Sequence, residues 1–74
     1  MTDKELLQEI INEHRRELLK ADFMADHYEK EIKEMKKMGK QEATETRDLW
    51  LKHKETRRQE IKRLEEYGKR KNLI

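Results

Sequence analysis

A stripe of mostly apolar residues runs through the first half of the chain in alternating steps of four and three positions. It comprises Leu7, Ile11, His14, Leu18, Ala21, Ala25, Tyr28, Ile32 and Met35. A repeat of 3.5 residues keeps such a stripe facing a partner helix and is typical of a left-handed coiled coil. The pattern therefore predicts a long helix over about residues 3–37.

The start of this helix carries its own signal. Thr2 is followed three positions later by Glu5. In a capping box of this kind, the threonine hydroxyl accepts a hydrogen bond from the amide of the third residue on, and the glutamate side chain reaches back. We therefore expect the helix to begin near residue 3.

A second stripe follows a break at Gly39. It comprises Ala43, Thr46, Trp50, His53, Arg57, Ile61, Leu64 and Tyr67. Because glycine favours the left-handed backbone that ends helices, Gly39 predicts a turn over about residues 38–42. Gly68 likewise predicts the end of a second helix over about 43–67, which leaves a short basic tail at 68–74.

Folding the chain back about Gly39 brings the two stripes together. An antiparallel arrangement then sets Tyr28 against Trp50 and the small Ala25 against the long His53. The sequence thus predicts an all-α fold, a two-helix antiparallel coiled-coil hairpin that forms one domain over residues 1–74. The alternative is one continuous helix kinked at Gly39, since a glycine costs only about 1 kcal/mol in a helix interior.

The composition leaves this hairpin a thin core. Charged residues make up 49% of the chain and hydrophobic residues 32%, and there is no cysteine to form a disulfide. Small domains of this kind usually need oligomerisation for stability. One flank of the seam keeps unused apolar residues, namely Leu6, Ile10, Met24 and Leu49. We therefore expect a homodimer that forms a four-helix bundle through this flank.

Two further apolar residues, Leu19 and Phe23, lie one turn apart on the back of the first helix. An aromatic and an aliphatic neighbour on an exposed helix are suitable anchors for a protein partner. The alternative is that they are ordinary exposed residues, which are common on protein surfaces.

Basic residues share a broad face of the second helix, which makes Arg47, Lys54, Arg58 and Lys62 candidate nucleic-acid contacts. Acidic residues interrupt this row, and the net charge is only +2. Dedicated nucleic-acid binders are usually far more basic, so a solvated helix face is the alternative.

The sequence offers little material for catalysis. It contains no serine, no cysteine and no glycine-rich phosphate loop. The three histidines, His14, His27 and His53, lack the helical spacing of shared metal ligands. We therefore expect no catalytic residue, no cofactor and no metal site.

The chain also lacks an apolar run of membrane-spanning length and a signal-peptide segment, so we expect a cytoplasmic protein. Together these observations favour a small non-enzymatic protein–protein interaction module. It would be an adaptor, inhibitor or assembly factor, of the kind found among phage and mobile-element accessory proteins. A helical nucleic-acid-binding protein that uses the basic row of the second helix is the alternative function.

Overall fold

The computed structural model describes residues 1–34 and 39–74. In these ranges, helix α1 spans Asp3–Glu34 and helix α2 spans Lys40–Arg70. The helices pack along each other in antiparallel directions. The proximity of Leu7, near the start of α1, to Gly68, near the end of α2, shows this direction. The result is a rod 53 Å long and 18 by 12 Å across. The predicted all-α hairpin is confirmed, and the continuous kinked helix is wrong.

The capping box at the start of α1 is present. The Thr2 hydroxyl oxygen accepts a hydrogen bond from the Glu5 amide at 3.2 Å, and the Leu6 amide donates to the Thr2 carbonyl at 3.0 Å. The Thr2 hydroxyl itself donates to the Glu5 carboxylate at 3.1 Å. Of the amide groups that a helix leaves without partners in its first turn, that of Glu5 is satisfied in this way, and α1 begins at Asp3 as predicted.

Gly39 has the left-handed conformation that the sequence predicts, with φ of 83°. The turn ends earlier in the chain than predicted, because α2 begins at Lys40 rather than at about residue 43. The Ala43 amide already donates to the Gly39 carbonyl at 3.0 Å. The residues between are good helix formers and extend the helix up to the glycine. The predicted end of the first helix at 37 and the seam position of Met35 lie outside the described residues.

The seam confirms the two stripes. Its buried residues are Leu7, Ile11, Ala21 and Ala25 of α1, with Ala43, Ile61 and Gly68 of α2. The large apolar side chains among them cluster at the open end of the hairpin, away from Gly39, where Leu7 and Ile11 pack against Ile61. Leu18, Leu64 and Leu73 pack around this cluster. Tyr67, which was predicted at the end of the seam, is exposed.

The middle of the seam is polar. Arg57 Nη1 lies 2.9 Å from His14 Nδ1. A guanidinium group can only donate, so His14 Nδ1 is the acceptor in this contact. His53, predicted opposite Ala25, instead brings its Nε2 to 4.0 Å from the Glu17 carboxylate. Ala21 and Ala25 remain buried, while the side chains of His53 and Arg57 reach toward the first half of α1.

The two large aromatic rings of the seam do not pair with each other. Among the described residues, the Tyr28 ring meets His27 at 5.3 Å between centroids, and the Trp50 ring meets His53 at 5.9 Å. The first pair lies within α1 and the second within α2, so neither joins the two helices. Within the described residues, the Tyr28 and Trp50 rings form no stacked or edge-to-face pair with each other.

Gly68 does not end α2, so the predicted boundary at residue 67 is wrong. The helix continues to Arg70, and Gly68 is buried within it. A Cβ at this position would lie 2.7 Å from Leu7 Cδ2 and 2.6 Å from Ile74 Cδ1. The glycine is therefore explained by the close approach of these two side chains and not by a helix stop.

The true end of α2 is a Schellman motif centred on Asn72, which has a left-handed φ of 56°. The Asn72 amide donates to the Lys69 carbonyl at 3.3 Å, and the Leu73 amide donates to the Gly68 carbonyl at 2.7 Å. Leu73 then packs on the core cluster. The predicted basic tail at 68–74 is thus part helix and part cover for the open end of the core.

Replacing Gly39 with alanine should destabilise the hairpin, because the added Cβ is strained on a left-handed backbone. We expect Gly39→Ala to lower the free energy of unfolding by about 1–2 kcal/mol, measured by urea denaturation. Gly39→Asn is the control and should cost clearly less, because asparagine tolerates this conformation. Equal stability of Gly39→Ala and the parent chain would contradict the left-handed turn.

The Leu73 side chain should contribute to stability although it follows the end of α2. We expect Leu73→Ala to lower the free energy of unfolding by about 1–2 kcal/mol, less than a fully buried leucine because Leu73 is only half-buried. Leu49 is 67% exposed and lies outside this cluster, so Leu49→Ala is the matched control and should change stability little. A thermal melt distinguishes the two, since 1 kcal/mol shifts the midpoint by about 4–8 °C in a domain of this size. Equal melting temperatures would refute the packing role of Leu73.

Candidate functional site: the outer faces of the hairpin

One flank of the seam is held by ion pairs between the helices. They join Glu29 to Arg47 at 2.8 Å, Asp22 to Lys54 at 2.6 Å and Arg15 to Glu65 at 3.8 Å. The α1 members of these pairs recur every seven residues, so they lie in one row beside the seam. This flank is committed to holding α1 and α2 together.

The ion pairs divide the basic row that was predicted to contact nucleic acid. Arg47 and Lys54 are directed at α1, and only 25% and 26% of their side chains are exposed. Hydrogen bonds to Glu29 and then to Asp48 raise the pKa of the Arg47 guanidinium above its usual value. Two members of the row thus already have carboxylate partners.

The other two members of the row lie on the surface. Arg58 is exposed and lies 3.6 Å from the Glu55 carboxylate of its own helix. Lys62 is exposed as well. The structure therefore leaves only part of the predicted row open to a phosphate backbone.

The apolar flank predicted to mediate self-association is also divided. Leu6 and Ile10 lie at the open end, where they line a shallow groove with Tyr67 and Leu73. Leu49 stands apart on α2, 67% exposed between charged neighbours. Met24 is half-buried. The set therefore forms separate apolar spots and not one continuous surface.

Leu19 and Phe23 are the most exposed large apolar residues of α1. Leu19 is 70% exposed and Phe23 is 67% exposed. They lie four positions apart and are therefore neighbours on the helix surface. The helix directs them away from α2, because Ala21 and Ala25 of the same segment are buried in the seam. The structure thus places the predicted anchor pair side by side and uncovered.

A polar groove that the sequence did not predict lies beside the seam. It is lined by Glu13, His14, Arg16, Glu17 and Arg57. Arg57 Nε is buried and has no hydrogen-bond partner among the described residues. The only sequence signal for this groove is the presence of an arginine and a histidine at seam positions, where apolar residues are usual.

The histidines do not converge. His14 is engaged by Arg57, and His27 forms an exposed contact of 3.2 Å with Glu31 one turn later. Among residues 1–34 and 39–74, no group of three or more histidine, cysteine, aspartate or glutamate side chains is arranged to hold a metal ion. Over the same ranges, neither helix contains an apolar stretch that could span a bilayer.

Comparison with known proteins adds no relative to this picture. No protein-family model, curated protein sequence or solved structure matches the chain. The functional argument therefore rests on the faces that the hairpin presents, above all on the exposed pair Leu19 and Phe23.

The Asp22–Lys54 pair should contribute a measurable coupling to the hairpin. Asp22→Lys and Lys54→Asp each set two like charges opposite one another and should lower the free energy of unfolding. The double reversal restores the attraction, so a four-member cycle by urea denaturation should show a coupling of about 0.5 kcal/mol. This coupling should shrink at higher salt because the pair lies near the surface. Purely additive effects would contradict the ion pair.

Proposed function

We propose that this chain is a small non-enzymatic protein–protein interaction module that binds through the back of α1. The observation that carries the proposal is the exposure of two large apolar side chains, Leu19 and Phe23, next to each other on a helix face that α2 does not cover. Adjacent aromatic and aliphatic side chains at the centre of a contact typically supply much of the affinity of a protein interface.

The energetic argument follows from burial. Moving one leucine or phenylalanine side chain from water into an apolar contact gains about 1.5–3 kcal/mol. Leu19 and Phe23 are both more than half exposed in the hairpin, so a partner can still realise most of this gain. The helix is held rigid by its seam with α2, so a partner would not have to order it on binding.

Charged residues surround this pair. Arg16 precedes the pair and Asp26 follows it along the helix, and Lys20 lies beside it. An apolar centre with a polar rim is the usual anatomy of a protein interface. We therefore assign the anchor role to Leu19 and Phe23 and an orienting role to the charges around them.

Nucleic-acid binding is the rival function, and the geometry disfavours it. Two of the four basic residues proposed for it, Arg47 and Lys54, bond carboxylates of α1. Releasing them to contact phosphates would break ion pairs between the two helices. Arg58 and Lys62 alone form a small basic surface on a chain whose net charge is only +2.

Adaptor, inhibitor and assembly factor remain equivalent descriptions of such a module, because each requires only a surface that binds another protein. We also propose that it acts in the cytoplasm. Catalysis forms no part of the proposal.

The immobilised chain should capture a protein from a lysate of its native host, and capture should depend on the anchor pair. We expect Leu19→Ala with Phe23→Ala to reduce capture at least tenfold, as judged by mass spectrometry of the bound fraction. Circular dichroism should show unchanged helicity, because both side chains lie outside the seam. Leu49→Ala is the matched control, since Leu49 is as exposed as Phe23 but lies on α2. Equal loss of capture in the control would contradict the assignment of the site.

A gel-shift titration tests the rival function. For each phosphate contact, binding would weaken per decade of salt by roughly 0.9 decade on duplex DNA and by roughly 0.7 decade on single-stranded DNA. It would also be abolished by Arg58→Glu with Lys62→Glu and unaffected by Phe23→Ala. We expect no shift at physiological salt, and a strong, salt-sensitive shift would replace the proposed function with nucleic-acid binding.

A further inference from the structure

A second stripe with coiled-coil spacing runs along the back of α1, and two of its members, Glu13 and Arg16, also border the polar groove beside the seam. It proceeds in alternating steps of three and four through Leu6, Glu9, Glu13, Arg16, Lys20 and Phe23. All six residues are exposed. A repeat of 3.5 residues keeps them in one line on the helix surface, as it does for the residues of the seam.

This stripe is self-complementary when read from its two ends. From the first residue to the last, its members are apolar, acidic, acidic, basic, basic and apolar. Two copies placed antiparallel about the midpoint of the stripe bring each residue opposite a complementary one. The pairs are Leu6 with Phe23, Glu9 with Lys20 and Glu13 with Arg16, each occurring twice.

The charges of the stripe are not used within the hairpin. In the described residues, none of Glu9, Glu13, Arg16 and Lys20 forms an ion pair. The charges on the flank that faces α2 do form ion pairs. Within the described residues, the back of α1 therefore carries charges of both signs that have no partner at ion-pair distance.

These charges also repel one another within α1. Glu9 and Glu13 are one turn apart, as are Arg16 and Lys20. Like charges at this spacing destabilise a helix. An antiparallel second copy would set two basic residues against the acidic pair and two acidic residues against the basic pair. Association would thus offset part of this repulsion.

The ends of the stripe are apolar and are extended by neighbours one turn away. Phe23 lies next to Leu19, and Leu6 lies next to Ile10. In the antiparallel arrangement, Phe23 of one copy meets Leu6 of the other at each end of the contact, and Leu19 and Ile10 lie on opposite flanks of it. The contact therefore covers the anchor pair together with two members of the predicted self-association set.

We propose that the back of α1 binds a second copy of this chain in antiparallel orientation. The two-fold axis lies between the two copies of α1, at the level of the midpoint between residues 14 and 15. The proposal rests on the function proposed above and names the partner at the same face. A two-fold contact of this kind is closed, because the same surface is used on both copies. α2 of each copy then lies on the outside of the pair.

The composition of this contact sets its behaviour. Its centre consists of ion pairs near solvent, which are individually weak and are screened by salt. Its ends consist of apolar side chains, whose association salt does not screen. We therefore expect a modest dimer that weakens as salt is raised, whereas association through the apolar residues alone would not weaken.

Charge reversal on the stripe tests the proposal. An acidic variant carries Arg16→Glu and Lys20→Glu, and a basic variant carries Glu9→Lys and Glu13→Lys. Each variant alone sets like charges across the contact. By analytical ultracentrifugation at low salt, the parent chain should exceed its 9.2 kDa monomer mass with rising concentration. Each variant alone should bind itself at least tenfold more weakly, and an equimolar mixture should recover the dimer.

The control variant carries Lys52→Glu and Lys62→Glu, two exposed residues of α2 that lie off the stripe. It changes the net charge as the acidic variant does but leaves the stripe intact. It should dimerise like the parent, and it should not rescue the basic variant in a mixture. Circular dichroism of every variant separates loss of the contact from loss of the helix, and recovery of the dimer in the mixture excludes misfolding.

A parent chain that stays monomeric at all concentrations would overturn the proposal of a second copy. If capture of another protein still depends on Leu19 and Phe23 in that case, the proposed function survives without self-association. A parent dimer that persists in both charge variants would place the contact on another face and would also overturn the proposal. Loss of the proposed function shows separately, as capture that ignores Leu19 and Phe23.

Discussion

The packing of Leu7 and Ile11 against Ile61 is the contact on which the rest of the hairpin depends. Two helices share only one seam, and elsewhere along it the buried residues are mostly alanines, which bury little apolar area. The large apolar side chains are therefore concentrated at the open end, far from the turn. Gly68 lets Leu7 approach α2 there. Closing both ends of the rod, one by the Gly39 turn and one by this cluster, holds the helices together along their whole length.

The orientation of the seam determines what each charged residue can do. Charges beside the seam can reach the other helix, and Asp22 and Glu29 bond Lys54 and Arg47 in this way. In the described residues, the charges on the back of α1 form no such pair with α2. The position of the seam on α1 thus decides which charged residues pair with α2 and which remain on the outer surface. The two kinds look alike in the sequence.

Periodicity was sufficient to predict the seam, the turn at Gly39 and the exposure of Leu19 and Phe23, because each follows from position on a helix. The role of Gly68 was not predictable in this way. A glycine can end a helix or permit a close approach, and only the proximity of Leu7 distinguishes the two. The ion pairs of Arg47 and Lys54 depend on the relative placement of two helices, which neither stripe specifies by itself. The end of α2 did carry a signal, since asparagine followed by leucine suits a Schellman motif.

Self-association and partner binding would compete if both use the back of α1. In the proposed dimer, Leu19 and Phe23 of each copy are covered, so a different protein could bind only after the copies separate. Binding of that protein would then shift the equilibrium toward the monomer by mass action, and a high concentration of the chain would oppose it. A dimer whose centre consists of exposed ion pairs is weak enough for this exchange. A contact built from apolar residues throughout would bury the anchors more permanently, so the charged centre of the stripe suits a face that must remain accessible.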